Sequence, residues 1–372
     1  MTAMSFSQSL EDLRPDWVSP PGDSIADLLE ERGWNQTSFA ERMEYTEKHI
    51  SLLINGKAAL TEETAFRLEK VTGIKAGFWL TREAQHREAV GRIEEEKVLA
   101  RESDWLKELP LRHMLDHRWI DRHSDPGAQV AECLRFFGVA SPNAWRTSYM
   151  EPVAAFRASK RFAIDPAATS TWLRQGEREA AGIDTQPFDR AAFKASLTSM
   201  RSLASEADPD VFVPKLTQAC AAVGVAVVLA GAPKGCPVSG ATKWLSPTKA
   251  LLMLSLRHRT NDHLWFSFFH EAGHLLLHGK RMLFIDGEGA LDDEQEEEAN
   301  RFARDVLIPS SHSGALRTLP KTEHEVVRFA HTVGIAPGIV VGRMQKEGFL
   351  EWKTRLNHLK EKYRFKVADS EE

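Results

Sequence analysis

The chain has 372 residues, a formal net charge of −5, 42% hydrophobic and 27% charged residues, and three cysteines. That length allows two or three domains with cores of their own, and the balance of apolar and charged residues is that of a folded soluble protein, not a disordered one. No apolar run approaches the roughly 20 residues that span a bilayer, the opening "MTAMSFSQSLEDLRPDW" lacks a basic segment followed by an apolar one, and Cys133, Cys220 and Cys236 form no CxxC pair or disulfide framework.

The expectation from these absences is a reduced, cytoplasmic protein with no membrane partner. The net charge neither demands nor forbids nucleic acid, since a local basic patch is enough.

Residues 1–20 read as a flexible arm ending at Pro20-Pro21. Residues 21–80 carry closely spaced helical signals. Ser24 suits an N-cap, followed by the apolar stripe Ile25, Leu28 and Leu29. Gly33 closes that helix, Gln36 to Met43 make a second, and a turn around Glu44 to Thr46 leads into a third. The third helix carries Ile50, Leu53 and Ile54 inward and leaves Lys48, His49 and Ser51 outward, with Asn55-Gly56-Lys57 closing it. A recognition helix needs this division, because apolar residues dock it while short polar or basic ones reach base edges and phosphates. The candidate DNA contacts are Gln36, Thr46, Lys48, His49, Ser51, Asn55 and Lys57.

The stretches "PGDSIADLLEERGWNQTSFAERM" and "KHISLLINGK…LTEETAFRLEKVTGIKAGFWL" resemble the XRE/Cro/C1 helix-turn-helix family, in its HigA-like antitoxin branch. The resemblance implies a five-helix lambda-repressor-like domain that binds operator DNA. One departure is Glu47, where such recognition helices often open with a basic residue. The segment 21–80 has a net charge of −3, so phosphate would repel it unless its few cations share one face. The competing reading is a helical bundle kept for homodimerisation or partner docking.

From Arg82 to Leu109 the chain is charged and poor in Gly and Pro, which predicts a solvated connecting helix ending at Pro110. The rest of a helical middle region, 81–215, shows the periodic stretches "AQVAECLRFFGV" and "AAFKASLTSMRSLASEA" but no signature chemistry. Then "VAVVLAG", "SGATKWL" and "ALLMLSL" read as three strands separated by turns. "HLWFSFFHEAGHLLLHGK" and "DDEQEEEANRFARDVLIP" follow as two helices, the second stopped by Pro309. The chain turns helical again from Thr322, and residues 346–372 form a basic tail predicted to be helical. The fold class is therefore α+β, mostly helical, with a small sheet in a C-terminal domain of residues 216–345.

The sharpest chemical signal is His270-Glu271-Ala-Gly-His274. Residues i and i+4 share a helix face, so both imidazoles can converge on one ion. A zinc ion accepts neutral imidazole nitrogens in a near-tetrahedral set and, in catalytic sites, keeps one position open. Glu271, beside that edge, suits a general base. HExxH also occurs in ordinary packed helices. His278 lies one turn further on, where a drift of about 40° per four residues carries it off the metal face, toward the cleft or a carbonyl near the helix end. A third ligand is better sought in "EQEEEAN". If Glu296 binds the ion, Asn300 sits one turn away and can fix the tautomer of His270. The other carboxylates there suit a solvated helix N-terminus.

"HEAGHLLLH" with "EEEANRFARDVLIP" resembles the ImmA/IrrE metallopeptidase family, gluzincin-like zinc enzymes often fused to XRE domains; the likeness covers about 225–345. It implies His270, His274 and Glu296 as Zn2+ ligands, with the adjoining Glu297 as the alternative to Glu296, and Glu271 as base. It also implies a protein substrate such as a repressor or antitoxin in a stress or mobile-element circuit. The alternative is a non-catalytic antitoxin and autorepressor whose zincin domain senses metal or holds a partner. Cys236 could silence the metal as a thiolate or simply fill a turn, and His263 could meet substrate or cap the active helix.

Overall fold

The computed structural model describes residues 19–151, 165–279, 283–285 and 293–365. The arm read at the N-terminus lies outside the described residues except for its last two positions. The chain divides into two units, residues 1–101 with 125–128 and residues 102–124 with 129–372.

Among its described residues the first unit holds five helices: α1 (Pro21–Glu31), α2 (Gln36–Met43), α3 (Glu47–Ile54), α4 (Glu62–Thr72) and α5 (Ala76–Arg101). Pro21 occupies the first turn of α1, where its fixed φ fits and its missing N–H is no loss. The helix therefore begins ahead of Ser24, which lies inside it and is not its cap. Asn35, Thr46 and Thr61 cap the next three helices by accepting from Ser38 N, His49 N and Thr64 N. Ile25, Leu29, Phe39, Met43, Ile50, Leu53, Leu68 and Trp79 make one core. Gly22 is obligatory, because a Cβ there would lie 1.9 Å from the Ile54 carbonyl oxygen.

Helix α5 runs unbroken through the boundary drawn at residue 80 and stops at Arg101, short of Leu109; a 3-10 helix (Ser103–Glu108) follows. Only Ala76 and Trp79 of α5 are buried. Along its exposed length Arg87–Glu83 and Arg92–Glu88 pair at i, i+4, where solvent screens the attraction.

The second unit continues with α6 (Leu111–Asp116), α7 (Pro126–Phe137), α8 (Pro142–Trp145), α9 (Pro166–Ala181), α10 (Arg190–Ser202) and α11 (Pro209–Ala221). A four-stranded sheet comes next, β1 (Val225–Leu229), β2 (Gly240–Ser246), β3 (Lys249–Leu254) and β4 (Leu283–Ile285), in the order β1-β3-β2-β4. β1 runs parallel to β3, and β2 is antiparallel to both β3 and β4. The three-residue β4 is one strand more than the sequence indicated. β1 and β3 are apolar and buried almost throughout, as strands covered on both faces are.

The remaining helices are α12 (Asn261–Leu277), which carries the HExxH residues, α13 (Asp293–Leu307), α14 (Ser313–Arg317), α15 (Glu323–Val333) and α16 (Pro337–Lys346). The tail is not the helix its charge pattern predicted. After Gly348, at φ +75°, the described residues form a single 3-10 helix, Arg355–Leu359. Tertiary bonds take the place of helical ones. Gln345 donates to the Glu351 and Trp352 carbonyls, Tyr363 N donates to Arg259 O, and Lys360 pairs with Asp262 at 2.6 Å. Among the described residues no single helix is long and apolar enough to cross a membrane.

Candidate metal centre and recognition helix

Helix α12 is apolar nearly all round, with Trp265, Phe268, Phe269, Ala272, Leu275 and Leu276 buried, and it packs against β2, β3, α13 and α16. Each large apolar side chain so buried contributes about 1.5–3 kcal/mol, which offsets the cost of holding His270, Glu271 and His274 at 1% exposure or less. Gly273 sets the distance to α13: a Cβ there would meet Ala299 Cα at 3.3 Å and Phe302 at 3.1 Å. That approach brings the Glu296/Asn300 face of α13 over the histidines.

His270 Nε2 and His274 Nε2 lie 2.9 Å apart. Glu296 places one carboxylate oxygen 3.3 Å from the first and the other 3.7 Å from the second. One ligand atom from each of the three residues falls within 4.8 Å of the others, a group that could hold a metal ion. Hydrogen bonds fix which nitrogens face inward. The Asn300 side-chain oxygen lies 3.2 Å from His270 Nδ1, so Nδ1 donates and Nε2 keeps its lone pair. On the other ring, His274 Nδ1 lies 2.9 Å from His278 Nδ1, while His278 Nε2 lies 3.1 Å from Glu298. If Glu298 accepts from His278 Nε2, then His278 Nδ1 accepts from His274 Nδ1, and His274 Nε2 also turns a lone pair inward. Three acceptors then converge on one point. A cation is the chemistry that suits them.

The sequence-predicted cleft residue His278, its side chain 3% exposed, lies between His274 and Glu298. Helical drift removed it from the metal face, but i, i+4 neighbours still touch. Sequence reasoning missed the link to Glu298 because nothing in one helix reveals the angle at which another crosses it. Glu297 is turned to Arg304, at 2.5 Å, leaving Glu296 as the carboxylate beside both imidazoles. The Glu271 carboxylate packs against the start of β2, where a Cβ on Gly240 would come within 2.7 Å of it.

In the first unit, Lys48, Asn55 and Lys57 are exposed, His49 and Ser51 are half-buried, and Gln36 opens α2 on the exposed side. Two of the predicted contacts have structural duties as well. Thr46 caps α3, and Asn55 Nδ2 bonds the Ser51 carbonyl at 2.6 Å. His49 packs edge-on against Tyr45, with ring centroids 4.5 Å apart. Arg42 and Arg32 lie over the Trp34 ring, and Arg67 is tied to Glu63 and Glu44. Among the described residues Lys48 and Lys57 are thus the cations of α3 and its closing turn with no such commitment.

Residues 25–79 match the family model described as Helix-turn-helix, and residues 241–344 match the one described as IrrE N-terminal-like domain, a peptidase family. The chain carries both domains. It is also 42% identical over 60 residues to YddM, an uncharacterised HTH-type transcriptional regulator of Escherichia coli (strain K12). That match covers 16% of this chain and 64% of the relative.

Two more polar candidates fall in or beside the IrrE N-terminal-like domain. Burial pushes the Cys236 thiol up to about 12, and the residue's backbone N–H closes the turn by donating to the Pro233 carbonyl. It is a packed turn residue. His263 stacks on His258, ring centroids 4.1 Å apart, and burial pushes its imidazole down to about 4. Its folded-state value lies below the ordinary 6.5, so the neutral ring contributes stability that is present above about pH 6.5 and lost as the pH falls toward 4. Replacing His263 with Gln should flatten the fall in thermal midpoint across that window; parallel pH profiles for the two proteins would refute this account.

Proposed function

We propose that this protein is a cytoplasmic DNA-binding regulator whose IrrE N-terminal-like domain is a zinc-dependent endopeptidase, with a repressor or antitoxin as its protein substrate. The observation that carries this reading is the convergence of His270 Nε2, His274 Nε2 and the Glu296 carboxylate with Glu271 on the same helix. Two imidazoles and one carboxylate are a set that zinc accepts while keeping a position for substrate or water. Zinc in such a site supplies polarisation of a carbonyl and lowers the pKa of water toward about 7.

The protein's own groups do the rest. Asn300 and His278 hold the ring tautomers. Glu271 takes a proton from the attacking water and returns it to the leaving amine, a role that contributes about 10²–10⁴-fold. The test is to measure zinc in the purified protein, and to co-express it with candidate repressors and look for a discrete cut.

The helix-turn-helix domain gives DNA binding, and its outward cations Lys48 and Lys57 support contact with phosphates of an operator, read by one copy or by a homodimer. Each phosphate contact removed lowers the slope of log affinity against log salt by about 0.9. The Lys48→Ala, Lys57→Ala double variant should therefore lose about two units of slope on duplex DNA from its own promoter, measured by fluorescence anisotropy at several salt concentrations. An unchanged slope would remove α3 from the interface.

A further inference from the structure

A cavity of about 300 Å³ lies beside α12, lined by Phe266, Asn300, Ile339, Arg343, Lys346 and Trp352 among others. It shares a wall with the metal centre: Asn300 bonds His270, and the Phe266 and His270 ring centroids are 6.1 Å apart.

Its walls are mostly apolar, but its charges do not cancel. Arg304 is held by Glu297, and Asp262 by Lys360. Arg343 is paired through its Nε with Glu347, which leaves Lys346 as the cation in excess. Arg343 has only 16% side-chain exposure, its Nε lies 2.9 Å from Glu347, and its Nη1 is enclosed with no hydrogen-bond acceptor among the described residues. Lys346 is exposed and forms no ion pair among the described residues. Arg304, Arg343 and Lys346 outnumber Asp262 and Glu297 around the cavity, and a carboxylate is the group that such a surplus of cations attracts.

We propose that this cavity is a subsite that selects an acidic side chain, aspartate or glutamate, of a peptide lying across the metal centre, with Arg343 as the residue that sets the preference. The peptide rests on the peptidase reading given above. The preference for an anion rests on the cavity alone.

The experiment uses the full chain, zinc-loaded and chelator-treated, titrated by calorimetry with acetyl-Ala-Ala-Glu-Ala-Ala-amide and its Gln counterpart. The Glu peptide should bind about 10-fold more tightly in both preparations, the order that a charge-assisted hydrogen bond supplies. Arg343→Gln should erase the difference, and Arg343→Lys should restore part of it. The exposed Lys346→Gln, which has little bearing on folding, should shrink it. Equal affinities for the two peptides, or a preference untouched by both Gln variants, would overturn the subsite. A protein that holds no zinc and cuts nothing, yet still prefers the Glu peptide, would sink the peptidase reading and leave the subsite standing.

Discussion

Glu271→Gln retains the metal and lowers cleavage of a co-expressed repressor by about 10²–10⁴-fold. The substitution keeps the shape of a side chain that is 0% exposed and seated against Gly240, so packing is preserved. What it removes is the capacity to take a proton, since a neutral amide is no base at any ordinary pH. Elemental analysis and a gel-based cleavage assay on the same preparation check both halves of the expectation. Normal cutting by this variant would mean that Glu271 is not the base. The contest with a purely sensing domain is decided here too, because a site that only holds a metal is indifferent to this carboxylate.

His270→Ala should do the opposite and empty the site, taking the metal content from about one zinc per chain to near none. It deletes one of two imidazoles and leaves His274 and Glu296 with nothing opposite them. Asn300→Ala, His278→Ala and Glu298→Gln should retain binding at an affinity lowered by about 10–100-fold, the range for groups that orient a ligand from behind. A zinc content unchanged in His270→Ala would refute the ligand set. Graded losses in the three supporting variants would show that the tautomers are held as the hydrogen bonds imply.

Much of this centre was legible in the sequence because helices impose their own geometry. His270 and His274 at i, i+4, and Glu296 and Asn300 at i, i+4, each fix a face without any knowledge of the partner. The small Gly273 leaves room for a close neighbour, and that neighbour is α13. Information that lives between elements was not legible. Which of three adjoining glutamates faces the histidines depends on how α13 crosses α12. The reach of Glu298 to His278 depends on the same crossing.

Propensity misled in two places. The basic tail has helical composition, yet Gly348 and a set of long-range bonds hold it otherwise. Ser24 is a good cap by type, but Pro21 starts the helix before it. β4 escaped notice because three residues are too few for any periodicity to show.

The bond between Lys360 and Asp262 extends the reach of the last described residues. Asp262 is 7% exposed at the first turn of α12, where Gly338 and Gly342 of α16 leave space for Asn261 and for Asp262 itself. Breaking a pair so enclosed costs about 3–5 kcal/mol, a large part of what keeps a domain folded. Shortening the polypeptide ahead of Lys360, though it touches no ligand, would strand a bare carboxylate at the root of the helix that bears the two imidazoles. The segment around Lys360 is thus a footing for the chemistry, and a truncation made ahead of it would undermine the centre from below.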